Sequence, residues 1–382
     1  MFRDSRWRLA SLALLVLGLG SAAGAQEANP APIKDAGGEL SIHGFGDWRY
    51  ARTDGDNEVL SGAPGGSYTF AHLGVAFAKE VNSRLRLEAE ALFAGEEHDI
   101  DLVYAFADVR LSSRASLRVG QVKQPFGLFS EVVQVGTLRP FIALPQSVYG
   151  PSGMAPEAFL GAGLTGQAPL GARWNVQWDA YAGGQNLEEK HAAEEAALGK
   201  PVFAEEFVLR SRRNMVGGRA LFETPIEGFR FGGAAYSAEE IEGSRHHTAI
   251  GSIEYVRRPF EFRGELIHQS ASGDLRSTGW YAEAAYKLDT HWQLAGQYDH
   301  YTVDLLEEPE GTPGPASLRE HREGILGVNY WVNPTCVFKV NYSRVDGNRC
   351  ALPAEDAIAA SIAAGTLRPK TNLIQFAVQF AF

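Results

Sequence analysis

Apolar and polar side chains alternate with a strict period of two residues in segments spread along the chain. Between Arg84 and Phe93, leucine, alanine and phenylalanine occupy the odd positions, whereas arginine and glutamate occupy positions 84, 86, 88 and 90. This period places the two sets on opposite faces of a β-strand. It returns at 174–182 and 340–343, and no apolar run beyond residue 25 is long enough for a transmembrane helix. The chain is therefore predicted to be all-β, so that any membrane domain in it is built from strands.

Residues 1–25 have the features of a secretory signal. Three arginines precede an apolar stretch at 9–19, and the small residues at 23–25 offer a cleavage site. We expect cleavage after Ala25, with an uncleaved anchor as the alternative, and residues 26–39 are then a periplasmic N-terminal lead. Because residues 1–25 carry three arginines and one aspartate, their removal changes the formal charge from −11 to about −13. Nucleic-acid binding requires a basic patch, so no nucleic-acid partner is expected.

The chain ends on a strand with a strong pattern. Ile374, Phe376, Val378, Phe380 and Phe382 share one face, and smaller or polar residues occupy the other. A soluble sandwich can also end in an alternating strand, but it has no need for a terminal aromatic. Phe382 resembles the terminal residue by which the barrel-assembly machinery recognises outer-membrane barrels, and we expect it to act as that assembly signal.

Sixteen segments follow the alternating pattern. They lie at 40–53, 68–79, 84–93, 100–111, 117–123, 158–167, 173–183, 214–223, 229–238, 245–257, 260–270, 276–287, 291–304, 320–331, 337–346 and 372–382. Short links between them alternate with longer links, as in a transmembrane antiparallel β-barrel with short periplasmic turns and long outer loops. In lipid every backbone polar group needs an internal partner, so the sheet must close, and sixteen strands can enclose a water-filled lumen. Residues 40–382 are therefore predicted to form one barrel with both termini on the periplasmic side.

The link at 124–157 is long and unusually apolar for a surface loop, with several phenylalanines, leucines and prolines. Such composition indicates that the segment packs against apolar surface. We interpret it as a loop that folds into the barrel and constricts it. The alternative is that it covers the barrel mouth or a subunit contact.

A family resemblance appears in residues 117–127, which read LRVGQVKQPFG and are followed by Glu131. This stretch resembles the fifth strand and its exit in the phosphate-selective porin O/P family, and residues 324–342 are similar to that family's penultimate hairpin. The resemblance implies a sixteen-stranded outer-membrane channel, a homotrimer, with its third loop folded inward. It implies anions such as phosphate among the solutes.

Charged residues on the early strands are the candidate lining of this channel. They are Arg84, Arg86, Glu88, Glu90, Asp108, Arg110, Arg118 and Lys123. Glu131 and Arg139 are the candidates on the constriction loop. Because acids and bases share the same faces in an acidic chain, a general or weakly selective channel fits better than a phosphate-specific one. The alternative is that these charges pair across the wall and only stabilise the barrel.

The sequence thus predicts a porin of a Gram-negative outer membrane that passes small hydrophilic solutes, with anion or phosphate preference as its finer hypothesis. The alternative is a surface receptor or adhesin acting through the loops at 184–213 and 347–371. Neither a Gly-x-Ser-x-Gly nor a His-Glu-x-x-His element is present, and His246-His247 lacks a carboxylate at ligand spacing. No enzymatic activity, metal or cofactor is expected, and the expected partners are outer-membrane lipid, small solutes and the assembly machinery.

Overall fold

The computed structural model describes most of the chain from residue 40 onward. The described residues are 40–55, 57–63, 65–94, 99–150, 154–155, 157–185, 212–240, 245–271, 275–305, 320–347 and 370–382. The predicted signal peptide at 1–25 and the lead at 26–39 lie outside this range. So do most residues of the two loops that a receptor would use.

Sixteen antiparallel strands form a closed barrel in chain order, and the first strand pairs with the last. Their bounds are β1 Leu40–Thr53, β2 Ser67–Glu80, β3 Leu85–Ala94, β4 Asp99–Arg110, β5 Ala115–Lys123, β6 Ala158–Leu170, β7 Trp174–Gln185, β8 Arg212–Glu223, β9 Phe229–Glu240, β10 Arg245–Arg257, β11 Phe260–Ala271, β12 Leu275–Lys287, β13 Trp292–Leu305, β14 Glu320–Asn333, β15 Cys336–Asp346 and β16 Lys370–Ala381. The predicted fold class is confirmed, and every predicted strand bound lies within three residues of the observed one.

The connections separate the barrel into two ends. The turn end, where β2 meets β3 and β4 meets β5, has connections of two to five residues, whereas every connection longer than five residues lies at the opposite, loop end. Three connections predicted to be longer, near 94–99, 239–244 and 271–275, have four, four and three residues in the structure and are no longer than the turns. The prediction was wrong there because strands that flank these connections continue toward the loop end for one or two residues beyond the segment in which apolar and polar residues alternate.

Exposure alternates along the strands as the two-residue period requires. Large apolar side chains cover the outer face, among them Phe77, Leu266 and Leu326, which are 41 %, 55 % and 68 % exposed. The inner face carries polar side chains such as Glu265 and Lys339, which are 3 % and 1 % exposed. Soluble monomers rarely expose contiguous apolar surface on this scale. An apolar outer band around a polar interior is the pattern of transmembrane barrels.

The two ends of the chain close the barrel. The backbone N–H of Phe382 donates to the carbonyl of Gly44 at 2.8 Å, and the N–H of Gly44 donates back at 2.9 Å. The rings of Phe380 and Phe382 lie over Gly46 and Gly44, where any Cβ atom would collide with them. The terminal aromatic therefore covers the seam on the outer face, and glycine at positions 44 and 46 leaves room for the two rings.

Among the described residues, helical structure consists of two single turns, α1 at Glu58–Ser61 and α2 at Gln146–Tyr149, and two 3-10 turns at Ser130–Val132 and Gly136–Leu138. In the portion of the chain that the structure describes, no helix has the length and apolar character to cross a membrane.

The barrel topology predicts that the two cysteines stay unpaired. The sequence pattern places Cys336 in the turn before β15, whereas in the structure it is the first residue of that strand and a free thiol. Position 350 lies outside the described residues, and the chain reaches it only after β15, a strand of about 30 Å, so the topology predicts that no disulfide forms. We expect both thiols to be alkylated without reductant, as measured by mass spectrometry of the purified protein. A peptide linking Cys336 to Cys350 would contradict the strand assignment.

Candidate functional site: the inward loop and the facing barrel wall

The loop at 124–157, which we call the inward loop, lies against the inner face of the barrel. Its side chains Phe126, Phe129 and Val148 form one buried cluster with inner-face residues that include Ile250 and Ile267. Burial of apolar side chains away from water is the main stabilising contribution of such packing. The loop's phenylalanines are therefore accounted for by contacts with the barrel itself, whereas Leu138 stays exposed.

Lys339 of β15 anchors the middle of the inward loop. Its amino group donates to the backbone carbonyl oxygens of Gly136 at 2.8 Å, Arg139 at 2.6 Å and Phe141 at 3.3 Å. The side chain is 1 % exposed, so these three carbonyl oxygens take the place of water around the cation. On the adjacent strand, Asn329 donates to the carbonyl of Pro140 at 2.8 Å.

A carboxylate on β13 holds the start of α2. Asp299 accepts hydrogen bonds from the backbone N–H groups of Gln146 at 2.6 Å and Ser147 at 3.2 Å. Free N–H groups at a helix start are satisfied in this way by acidic side chains. Gly279 of β12 permits the close approach, because a Cβ atom there would collide with the carbonyl oxygen of Ser147.

A second carboxylate, Glu265 of β11, accepts hydrogen bonds from four groups. It accepts from the backbone N–H of Leu128 at 2.9 Å and from the Tyr281 hydroxyl at 2.8 Å. The Ser252 hydroxyl donates at 2.5 Å, and the Tyr149 hydroxyl of the inward loop also donates to it. The loop is thus fixed at several points around the inner wall rather than at its two ends only.

The structure brings several predicted site residues into one ion-pair group. Glu131 of the inward loop lies 3.8 Å from the guanidinium of Arg118 and 2.7 Å from that of Arg219. Arg118 also contacts Asp108, directly across the β4–β5 ladder, at 3.1 Å. Arg219 contacts Asp179 at 2.9 Å. The group therefore links the loop to both adjacent parts of the wall.

Lys123 and Glu90 form a separate pair. The amino group lies 3.3 Å from the carboxylate and 5.1 Å from the centre of the Tyr104 ring, and both charged residues are buried. Nearer the turn end, Arg86 lies 3.2 Å from Glu88. Six of the eight predicted lining residues are thus in ion pairs with one another, which favours the alternative that these charges stabilise the wall.

Arg84 and Arg110 are not part of these groups. Arg84 precedes β3 and belongs to the turn, contrary to the predicted strand start, because its backbone N–H donates to the Asn82 side chain at 2.8 Å. Arg110 is the last residue of β4 and is exposed at the turn end.

Arg139, on the inward loop, lies in a cationic group with Arg49 of β1 and Lys339 of β15. Its guanidinium donates to the carbonyls of Val133 at 2.5 Å and Ile142 at 3.1 Å. Burial lowers the pKa of Arg139 to about 10, and the positive charge of Arg49 lowers it as well, whereas Asp47 opposes the shift. It remains a cation at neutral pH. With Lys339 nearby, three basic residues in this group stand against two acids, Asp47 and Glu283.

Sequence reasoning missed most of the residues that hold the loop. They are Lys339, Asp299, Glu265, Arg219 and Asp179. Each occupies the polar face of an alternating strand, so the two-residue period could have assigned it to the interior. The period could not show which strands the loop contacts.

No protein-family model and no curated protein matches this chain. Solved structures match it in fold. OmpF of Salmonella typhi, in complex with daunomycin, superposes with a TM-score of 0.61 at 14 % identity, over 92 % of this chain and 99 % of that one. An anion-selective porin from Comamonas acidovorans gives 0.55 at 9 % identity, over 90 % and 100 %. The trimer form of OmpT, an outer membrane protein of Vibrio cholerae, gives 0.53 at 11 % identity, over 90 % and 99 %. These likenesses establish the barrel fold.

Proposed function

We propose that this chain is an outer-membrane porin, a passive channel for small hydrophilic solutes. The observation that carries the proposal is the division of a closed sixteen-stranded barrel into an apolar outer face and a charged inner face. A barrel of this size is too wide for its side chains to fill, so its interior holds water. The signal-like residues 1–25 and the terminal Phe382, as an assembly signal, support export to the outer membrane.

The inward loop is proposed to constrict this channel. Its anchors on β11, β13 and β15 support a fixed position inside the barrel. Arg49 and Lys339 on the wall and Arg139 on the loop give this side of the lumen an excess of positive charge over Asp47 and Glu283. Fixed charge along a pore sets the preference for ions of opposite sign. We therefore propose a weak preference for anions, which the O/P family resemblance and the anion-selective porin of the same fold support.

A homotrimer is proposed from the separation of β4 and β5. Their pairing ends at Ala105 and Gln121, although β4 continues to Asp99 at the loop end. The Gln121 amide donates to the carbonyls of Leu102 and Val103 at 2.7 and 3.1 Å, which satisfies part of this edge. An open edge is not tolerated in lipid. A second copy packed against this edge would cover it, and the trimeric OmpT of the same fold also supports the assembly.

The test is conductance of the purified, folded chain in planar bilayers under a potassium chloride gradient. We expect ohmic current steps, three equal sub-steps for each inserted trimer, and a reversal potential of the sign that marks anion preference. Heat-denatured protein from the same preparation is the control. Folded barrels that give no steps would contradict the proposal.

A further inference from the structure

The outer face of the barrel has a notch near its loop end, at Gly324 of β14. A Cβ atom at this position would meet no atom within 4 Å. The strand register places the glycine between Tyr298 of β13 and Arg344 of β15. Two residues away along β14, on either side, lie Arg322 and Leu326. We call these five residues the Gly324 notch, and it opens away from the lumen, because Tyr298 and Leu326 are 43 % and 68 % exposed.

The two arginines of the notch lie close to the loop end of their strands. Arg322 is two residues from the first residue of β14, and Arg344 is two residues from the last residue of β15. At about 3.3 Å per residue, each is about 7 Å along its strand from that end. Leu326 and Tyr342, which are opposite one another, lie further toward the middle of the apolar band. The arginines are therefore at the depth of lipid headgroups, and the apolar pair is where acyl chains begin.

Arg344 gives the notch a positive charge. Its side chain is exposed, and among the residues that the structure describes it has no acidic partner. The nearest acid along its strand, Asp346, lies 3.7 Å from Lys370 of β16. A charged side chain on the lipid-facing side of a barrel is tolerated near the membrane surface but not at the midplane. An anion at the membrane surface would provide this guanidinium with a partner.

The guanidinium of Arg322 is held in place by an acid. Its Nε donates to the carboxylate of Glu320 at 2.9 Å, and a terminal nitrogen donates to the same oxygen. That oxygen also lies 3.2 Å from the Nε2 atom of His300 on the next strand. Because a guanidinium has five N–H donors, Arg322 is oriented by Glu320 and still has donors for a ligand.

The notch is distant from the proposed subunit contact. Five strands lie between β14 and β4 in one direction around the barrel, and eight lie between β14 and β5 in the other. A second copy packed against the β4–β5 edge therefore leaves the notch facing lipid.

We propose that the Gly324 notch binds the phosphorylated headgroup of a lipid in the outer leaflet, with an acyl chain of the same lipid against Leu326. The proposal takes the loop end to face outward, and so it rests on the outer-membrane location in the proposed function. Guanidinium groups bind phosphate groups through paired N–H donors at fixed geometry. A lipid adds apolar contacts that a free ion lacks. The ligand is thus a component of the membrane and not a solute of the channel.

The test is native mass spectrometry of the folded full-length chain in tetraethylene glycol monooctyl ether, titrated with diphosphoryl lipid A. We expect saturable binding at concentrations at which phosphatidylcholine, whose headgroup has no net charge, does not bind. Inorganic phosphate at the same concentration should leave the lipid bound. The double variant Arg322→Gln/Arg344→Gln should need about tenfold more lipid A, because each lost charge-assisted contact weakens binding.

A second variant tests the notch without changing the charge. Gly324→Leu adds a side chain where the structure has open space, and leucine suits a lipid-facing position. We expect the barrel to fold, as shown by its heat-sensitive migration on detergent gels, and to bind lipid A more weakly than the unmodified chain. If Gly324→Leu binds lipid A as the unmodified chain does, the notch is not the site.

The matched control is Arg213→Gln/Arg245→Gln, which removes the same charge from the loop end of β8 and β10. Both of these arginines contact Glu239, at 3.1 and 3.6 Å, so their charge is already partly neutralised. The control should bind lipid A as the unmodified chain does. Equal weakening in both double variants would overturn the site in favour of general surface charge. Equal binding of phosphatidylcholine, or displacement of lipid A by inorganic phosphate, would overturn the phosphorylated lipid as its ligand.

The site and the channel can fail separately. If the chain binds lipid A through Arg322 and Arg344 but gives no conductance in planar bilayers, the site stands and the channel function fails. If it conducts but shows no saturable binding of lipid A, the site fails and the channel function stands.

Discussion

Lys339→Met is expected to release the middle of the inward loop, to raise the single-channel conductance and to make the current noisier. Methionine keeps the volume of the lysine side chain but donates no hydrogen bond. The carbonyl oxygens of Gly136, Arg139 and Phe141 then lose the donor that they share in the buried state. Unsatisfied buried acceptors of this kind destabilise a fold, and we expect a loss of about 3 kcal/mol.

Planar-bilayer recording measures the conductance. The temperature at which the barrel unfolds, followed by its shifted migration on detergent gels, measures stability. Lys287→Met is the matched control, because Lys287 also lies on the inner face but stacks over the Trp331 ring, 5.0 Å from its centre. The control should keep the unmodified conductance. If Lys339→Met also keeps it, the inward loop does not set the width of the channel.

The strands were predictable because the signal for each is local. A strand with lipid on one side and water on the other must alternate, and residues 40–53 and 245–257 have the predicted bounds without change. At Arg84 the alternating pattern extends beyond the strand itself, because β3 begins at Leu85. Arg84 continues the charged face of β3, but the Asn82 side chain binds its N–H and keeps it in the turn.

The inward loop was predictable in part for the same reason. Its apolar composition indicated an apolar contact, but its anchors are distant in sequence. Lys339 lies 203 residues from Gly136, and Asp299 lies 153 residues from Gln146. Only the closed barrel brings these residues together, so no local pattern identifies them.

Lys123 illustrates the limit of the two-residue period. Along β5 the inner positions are those of Arg118 and Val122, which would place Lys123 on the outer face. The strand leaves its neighbour after Gln121, next to Gly120, whose φ of +136° suits glycine alone. Beyond that point the Lys123 amino group meets the inner-face residue Glu90. The separation of two strands, rather than the alternation within one, decides its environment.

The second large effect is expected when the ion pairs of Arg219 are removed. We expect Arg219→Gln to destabilise the barrel by about 3 to 5 kcal/mol, because it leaves a buried acid without its cation. Asp179, 2.9 Å away, is itself almost fully buried. Glu131, 2.7 Å away, keeps Arg118 at 3.8 Å as a weaker partner. The same change removes positive charge from the lumen, so the reversal potential should shift toward cations.

Rescue by a second substitution distinguishes charge from packing. Asp179→Asn in the Arg219→Gln background removes the unpaired acid, and we expect it to restore most of the lost unfolding temperature. Arg230→Gln is the matched control, because its partner Glu254 keeps a second arginine, Arg263, at 2.7 Å. A single acid shared by two arginines tolerates the loss of one, whereas Asp179 has no second arginine among its described ion pairs. If both arginine variants lose equal stability, or if Asp179→Asn restores none, the cost arises from lost packing and not from the uncompensated carboxylate.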